Sequence, residues 1–254
     1  MTIGIILATA ALVILLALLV LIKAQPVRKP SLEGIEDLRA AKAYDRISKW
    51  PQFWALRRLI VRELRQHRPT GILADIGCGP GLLTILIARK FPQLKVLGLD
   101  TAQEMIKTAN KNALSLGFQR RVEFQEGNIR SLPVPDHALD FAVSSMSLHH
   151  WTEPERGLAE IHRALKPGGQ VLLFDMRRDS RLFFYTLMKF ATSIVMPAAM
   201  RKLNEPLGSI LASYTPMEVN ELFARSPFKT FIIKDGFAWM FVWGRKEQYN
   251  YSRP

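Results

Sequence analysis

Apolar and polar positions along this chain change period several times, and each change marks an element. Residues 38–49 and 53–67 repeat at helical spacing. In the second stretch Leu56, Leu59, Ile60 and Leu64 share one face, while Arg57, Arg58, Arg62 and Arg65 lie elsewhere. Ile72–Ile76 is a short unbroken apolar run that ends in glycines, the pattern of a strand buried on both faces. A helix is predicted over Leu82–Lys90, a strand over 95–99 ending at Asp100, and a helix over 102–116 that stops at Gly117. Strands over 122–125 and 139–144 follow, then a helix over 153–165 halted by Pro167-Gly168-Gly169, and a fifth strand over 170–174. Strands alternating with helices at this spacing predict an α/β fold, a doubly wound, mostly parallel sheet covered on both faces. The tail differs. A helix over 217–224 precedes strands over 229–234 and 238–244, joined at Asp235-Gly236, so the sheet is expected to end in an antiparallel hairpin.

The first residues follow no such alternation. Residues 3–22 form a run of 20 without a charge, interrupted only by Gly4 and Thr9. As a helix the run is roughly 30 Å long, the thickness of a bilayer's hydrocarbon core. A cleaved signal peptide is the alternative, but nothing basic precedes the run, it is too long, and no small-x-small cleavage site follows. Lys23, Arg28 and Lys29 come directly after it, and positive flanks stay on the cytoplasmic side. The expectation is therefore a single-pass membrane protein with its domain in the cytoplasm: a transmembrane anchor over 1–23, a linker over 24–34 with Pro26, Pro30 and Gly34, and one domain over 35–254.

Composition narrows the classes. Of the 254 residues, 48% are hydrophobic and 22% charged, which excludes a mostly disordered chain. The single cysteine, Cys78, excludes an internal disulfide and a cysteine zinc cluster, and no metal is expected. Lys and Arg outnumber Asp and Glu by 35 to 22. That excess suits nucleic acid, anionic lipid or an acidic small molecule, and does not choose among them.

Chemistry enters at Leu73-Ala74-Asp75-Ile76-Gly77-Cys78-Gly79-Pro80-Gly81, which follows the first strand and opens a helix. Glycines there let the backbone turn tightly and approach a ligand. The spacing is G-x-G-x-G, neither the dinucleotide fingerprint nor a phosphate loop. Asp100 ends the second strand, where a carboxylate can accept hydrogen bonds from both hydroxyls of a ribose, or can cap the next helix. Glu126-Gly127-Asn128-Ile129 follows the third strand and can face an adenine edge. In a doubly wound sheet these three loops meet at the carboxyl ends of the strands.

With Leu139–Trp151 and Leu165-Lys166-Pro167-Gly168-Gly169, these segments resemble the class I S-adenosylmethionine-dependent methyltransferases, in the broad group that acts on ubiquinone and menaquinone precursors and small molecules. The resemblance runs from about Ala41 to Phe174 and leaves out the first segment. It implies a Rossmann-like sheet of seven strands and S-adenosyl-L-methionine as cofactor. It also implies that Asp75, Gly77, Gly79 and Gly81 hold the methionine end, that Asp100 binds the ribose beside Thr101 and Met105, and that Asn128 and Ile129 contact adenine. Asn128 stands where this group usually has Asp. Ala43-Tyr44-Asp45 resembles the helix that closes over the cofactor, with Tyr44 as a contact.

Transfer from a sulfonium needs positioning and desolvation more than a nucleophilic side chain. Where the acceptor is a hydroxyl or an acidic carbon, a base helps. His149 and His150, after the fourth strand, are the catalytic candidates; Asp175, after the fifth strand, is the other candidate at that edge, and Trp151 reads as loop packing. Residues 177–213 stand where the family inserts a substrate lid. Its apolar 182–196 stretch suits a hydrophobic acceptor such as a quinone precursor or a lipid, with the membrane met through residues 3–22. No N-P-P-Y-type tetrapeptide follows the fourth strand, so a nucleic-acid partner is not expected. Two other classes are open: an NAD(P)-dependent oxidoreductase on a similar sheet, and a catalytically silent binding module tethered to the membrane.

Overall fold

The structure is a computed structural model and describes residues 21–30 and 38–248. Seven strands form one sheet: β1 (Ile72–Ile76), β2 (Lys95–Asp100), β3 (Val122–Glu126), β4 (Leu139–Ser145), β5 (Leu165–Met176), β6 (Thr230–Asp235) and β7 (Trp239–Arg245). Their order across the sheet is β3-β2-β1-β4-β5-β7-β6, and only the pairings made by β7 are antiparallel. The chain starts at β1 in the middle, winds outward to β3, then crosses to β4. Adjacent strands thus diverge between β1 and β4, and a crevice opens there at the carboxyl ends of the strands.

Helices α1 (Leu38–Ser48), α2 (Pro51–Gln66), α3 (Leu82–Lys90) and α4 (Gln103–Ser115) precede or interleave the first strands; α5 (Pro154–Ala164) links β4 to β5. On one face of the sheet Leu64, Ile87 and Ala109 bury Leu73, Val96 and Phe141. On the other, Leu158 and Ile161 of α5 and Val219, Leu222 and Phe223 of α9 (Pro216–Arg225) cover Ala74, Leu139 and Val171. Strands buried from both sides read as continuous apolar runs, which is why β1 and β4 are legible in the sequence. α9 opens with a capping box, in which the Thr215 hydroxyl accepts from the Glu218 backbone and the Glu218 carboxylate accepts from the Thr215 backbone.

β5 begins five residues earlier than its apolar run suggests. Leu165 pairs with Leu139, the register then shifts across Gly168, whose φ is +79°, and the ladder resumes at Gln170. The Pro-Gly-Gly stretch is a bulge inside the strand, not a turn before it.

Between β5 and α9, over the segment expected as a lid, run α6 (Leu182–Phe190), a π-helical turn (Ala191–Val195), α7 (Ala198–Lys202) and α8 (Leu207–Ala212). Residues 22–30 are tied to its edges. Leu182 N donates to Ile22 O, Ala24 N to Ser180 O, and Lys29 N to Leu211 O, at 2.8–2.9 Å.

The expectation of a single-pass membrane protein with a cytoplasmic domain is corrected: among the described residues no helix is long and apolar enough to cross a membrane. Of the apolar run only Leu21 and Ile22 are described; residues 1–20 lie outside the described residues. Where the run ends, Lys23 pairs in an antiparallel bridge with Arg181 at the start of the lid.

Candidate active site

The turn after β1 is built by the strand beside it. Gly77 N and Cys78 N both donate to Leu99 O, at 2.8 and 2.9 Å, which folds the chain back over the end of β2. Gly77, Gly79 and Gly81 all have positive φ, between 52° and 74°, so each needs the left-handed region that glycine enters without cost. Their surroundings differ. A Cβ at Gly81 would lie 2.6 Å from Phe124 Cζ, so Gly81 serves helix–sheet packing. One at Gly77 would strike Ser147 Oγ at 2.4 Å. At Gly79 the only neighbour within 4 Å among the described residues is Tyr44 Cε1, at 3.7 Å, so its backbone borders open space.

Asp100 is fixed from two sides. Gly79 N donates to Oδ2 at 2.8 Å and Ala102 N to Oδ1 at 2.9 Å, which joins the ends of β1 and β2 through one carboxylate. Burial raises its pKa, and the two backbone donors work against that rise. Tyr44 is brought over the turn by its neighbour Asp45, whose Oδ1 accepts from Asn112 Nδ2 at 2.9 Å; the same Nδ2 donates to Pro80 O at 2.9 Å. Burial first, and then the nearby Glu205 and Asp100 charges, push the Tyr44 phenol up to about 12.

A cavity of about 1050 Å³ runs from this turn to the underside of the lid. Of the expected cofactor residues, Tyr44, Gly77, Gly79, Asp100, Thr101, Met105 and Ile129 line it. Asp75, Gly81 and Asn128 do not. Asp75 is fully buried behind the turn, with Oδ2 accepting from Thr84 Oγ1 at 2.6 Å and Oδ1 buried without a partner among the described residues; its pKa is pushed up to about 7 by burial. Asn128 Oδ1 accepts from Arg130 N at 2.9 Å, a local turn that draws the side chain back onto its own loop.

His149 and His150 also line the cavity, on a short 3-10 turn (Leu148–His150) after β4. Their rings are in contact, with centroids 4.1 Å apart. His149 is buried, its Nδ1 lies 2.7 Å from Asp175 Oδ1, and its backbone N–H donates to Asp175 Oδ2 at 3.0 Å. Its Nε2 has no hydrogen-bond partner among the described residues. Burial opposes a charged imidazole here, but the Asp175 charge and hydrogen bond outweigh it, and the pKa of His149 is raised. Asp175 is thus the group that orients His149. Trp151 is buried, and its Nε1 donates to Ser147 Oγ at 3.1 Å, in keeping with loop packing.

The lid contributes apolar walls, among them Phe184, Leu187, Met188 and Met196, and one carboxylate, Glu205. Reading from the sequence misses Glu205, Ser147 and Trp239, all of which line the cavity. Glu205 carries a signal after the fact, as the one acid between Asp179 and Glu218.

The residues present fit S-adenosylmethionine. Gly79 exposes backbone where a side chain would intrude, Asp100 keeps lone pairs for a diol, and Met105 and Ile129 supply apolar walls. When bound, that cofactor supplies an electrophilic methyl group on a sulfonium.

Comparison with known proteins agrees. A family model described as a methyltransferase domain matches residues 74–173. A 2-phytyl-1,4-naphtoquinone methyltransferase of Nostoc sp. is 30% identical over 169 residues, covering 64% of this chain and 73% of the relative. A demethylmenaquinone methyltransferase of Porphyromonas gingivalis is 25% identical over 214 residues, covering 82% of this chain and 86% of its own. Among solved structures, an S-adenosylmethionine-dependent methyltransferase of Methanococcus maripaludis superposes with a TM-score of 0.65 at 21% identity, over 88% of this chain and 99% of that one, which shows the shared fold. With a glycine turn and a carboxylate at the end of β2 that fit the cofactor, and a naphthoquinone methyltransferase matching it along most of that relative's length, the chain belongs to the class I S-adenosylmethionine-dependent methyltransferases.

Proposed function

We propose that this methyltransferase acts on a hydrophobic, quinone-type small molecule held between the glycine turn and the lid, with His149 as the general base. The observation that carries the reading is the His149–Asp175 pair on the wall of a cavity whose lid side is apolar. Transfer of a methyl group to a hydroxyl or to an activated ring carbon releases one proton. His149 Nε2 takes it, and Asp175 stabilises the imidazolium that results. Phe184, Leu187, Met188 and Met196 exclude water and match a flat apolar ring. Relatives named for naphthoquinone and demethylmenaquinone methylation support that acceptor class. His150 packs against His149 and positions it. Tyr44, Gly77, Gly79, Asp100, Thr101, Met105 and Ile129 hold the cofactor, and Asp75 acts from behind the turn without touching it. Gly81 acts by packing, and Asn128 by shaping the loop that presents Ile129.

The test is transfer of a labelled methyl group from S-adenosylmethionine to reduced 2-prenyl-1,4-naphthoquinone and to a fractionated lipid extract of the source organism. A labelled quinone-type product that His149→Gln abolishes is expected. Label appearing only in polar, water-soluble compounds overturns the acceptor class.

A further inference from the structure

Two carboxylates line the cavity, Asp100 and Glu205. Asp100 belongs to the cofactor half, where two backbone N–H groups hold it. Glu205 comes from the lid, between α7 and α8, and no such role occupies it. The Ser209 hydroxyl donates to its Oε2 at 2.6 Å, and it forms no ion pair with a lysine or arginine among the described residues. The cavity wall around it mixes the apolar Met200, Leu203 and Leu211 with Asn204 and Ser209. Burial raises its pKa, while the Ser209 hydroxyl and the His149 ring pull it back down. Glu205 lines the same cavity as Tyr44 and His149, and its charge bears on both.

A half-buried carboxylate loses solvation that one hydroxyl only partly restores. A ligand group that donates a hydrogen bond repairs the loss. A second anion at that place meets like charge, and a group without a donor leaves the loss uncorrected. We infer that Glu205 is the residue that reads the acceptor: held on one oxygen by Ser209, it accepts a hydrogen bond from a hydroxyl or amine on the acceptor's apolar body, and it rejects acceptors that carry a carboxylate or phosphate at that position. This rests on the reading that the acceptor occupies the lid side of the cavity, and it adds the polar feature the acceptor must carry. Lys29 and Lys202 line the cavity too, but both are exposed at its rim, where water screens them.

The experiment is calorimetric titration of the full chain, loaded with S-adenosylhomocysteine, by three probes of one shape: 1-naphthol, 1-methoxynaphthalene and 1-naphthoate. The wild type is expected to bind 1-naphthol at least tenfold more tightly than either of the others. Glu205→Gln, whose amide both donates and accepts, is expected to cut the naphthol-to-naphthoate ratio at least fivefold. Its affinity for S-adenosylhomocysteine should stay within twofold of wild type, which shows that the variant folds. Equal binding of naphthol and naphthoate by the wild type, no binding of any probe, or an unchanged ratio in a variant that still binds S-adenosylhomocysteine overturns the proposal. If the variant does not fold, the wild-type ratio alone decides. Should the ratios come out as expected while no quinone-type compound accepts label, the acceptor class falls and the role of Glu205 stands.

Discussion

Asp75→Asn tests how the fold holds a carboxyl group in its centre. Asp75 is fully buried, with one oxygen on Thr84 and the other without a partner among the described residues, and burial pushes its pKa from the ordinary 3.8 to about 7. The folded chain therefore holds a proton there that the unfolded chain has released. Stability from this group is fully present below the ordinary value and is lost as pH rises through the shifted one. At about 1.4 kcal/mol per decade, the gap corresponds to on the order of 4 kcal/mol, of which about 3 kcal/mol falls between pH 4.5 and pH 8. An asparagine of the same shape still accepts from Thr84 and does not titrate. Urea unfolding of both proteins at pH 4.5, 6 and 8 is the assay. Any fixed cost of the new amide shifts the variant equally at all three values, so the slope is what counts. The wild type should lose about 3 kcal/mol more than the variant across the range. Parallel curves would refute the reasoning, because they would mean that Asp75 ionises in the fold as it does in water.

Gly81→Ala places a Cβ 2.6 Å from Phe124 at a φ of +74° and should cost about 2–5 kcal/mol in chemical denaturation. Gly79→Ala meets open space and should cost about 1–2 kcal/mol in stability, while weakening S-adenosylmethionine binding in calorimetry, since Gly79 lines the cavity. Asp175→Asn should lower kcat by about 10²–10⁴-fold. Because Asp175 raises the pKa of His149 and only the neutral imidazole acts as a base, the acid limb of the pH–rate profile should also move to lower pH. Phe184→Ser should raise the KM for the acceptor and Phe183→Ser should leave it nearly unchanged, since only Phe184 lines the cavity and Phe183 is exposed.

The strand–helix alternation was legible because the central strands are buried on both faces and write apolar runs, and because glycines mark their ends. Cavity-lining residues such as Gly77, Gly79 and Asp100 were legible because they sit at strand ends, directly after an apolar run. What escaped depends on contacts across the chain. Asp175 and His149 are 26 residues apart and meet because β4 and β5 are neighbours. Gly81 and Gly79 look alike in the motif, and only the presence of Phe124 beside one of them separates packing from binding. Glu205 is an isolated acid in a stretch of short helices, without a periodic pattern to draw notice to it. The bulge in β5 follows from the pairing of Leu165 with Leu139, which apolar periodicity cannot register.

Residues 21–30 carry the last prediction. Read as a linker, this stretch needs no partner; in the fold it is a strap across the lid. Besides the three backbone bonds at Ile22, Ala24 and Lys29, Arg28 Nε donates to Ala212 O at 2.8 Å, with its guanidinium 3.9 Å from the centre of the Tyr214 ring. The buried Arg178 donates from Nε to Pro26 O at 3.0 Å. Five such bonds, at a net of about 0.5–1.5 kcal/mol each, protect the lid edges by about 2.5–7.5 kcal/mol against local opening. Without the strap, Ser180, Leu211 and Ala212 lose partners at both ends of the lid together. Two shortened chains, beginning at residue 21 and at residue 31, isolate the effect. In the second, amides of residues 180–182 and 211–213 should exchange at least tenfold faster than in the first, while those of β1 and β4 stay unchanged. Equal exchange at the lid edges in both chains would show that the lid holds itself closed and that the strap only lies on it.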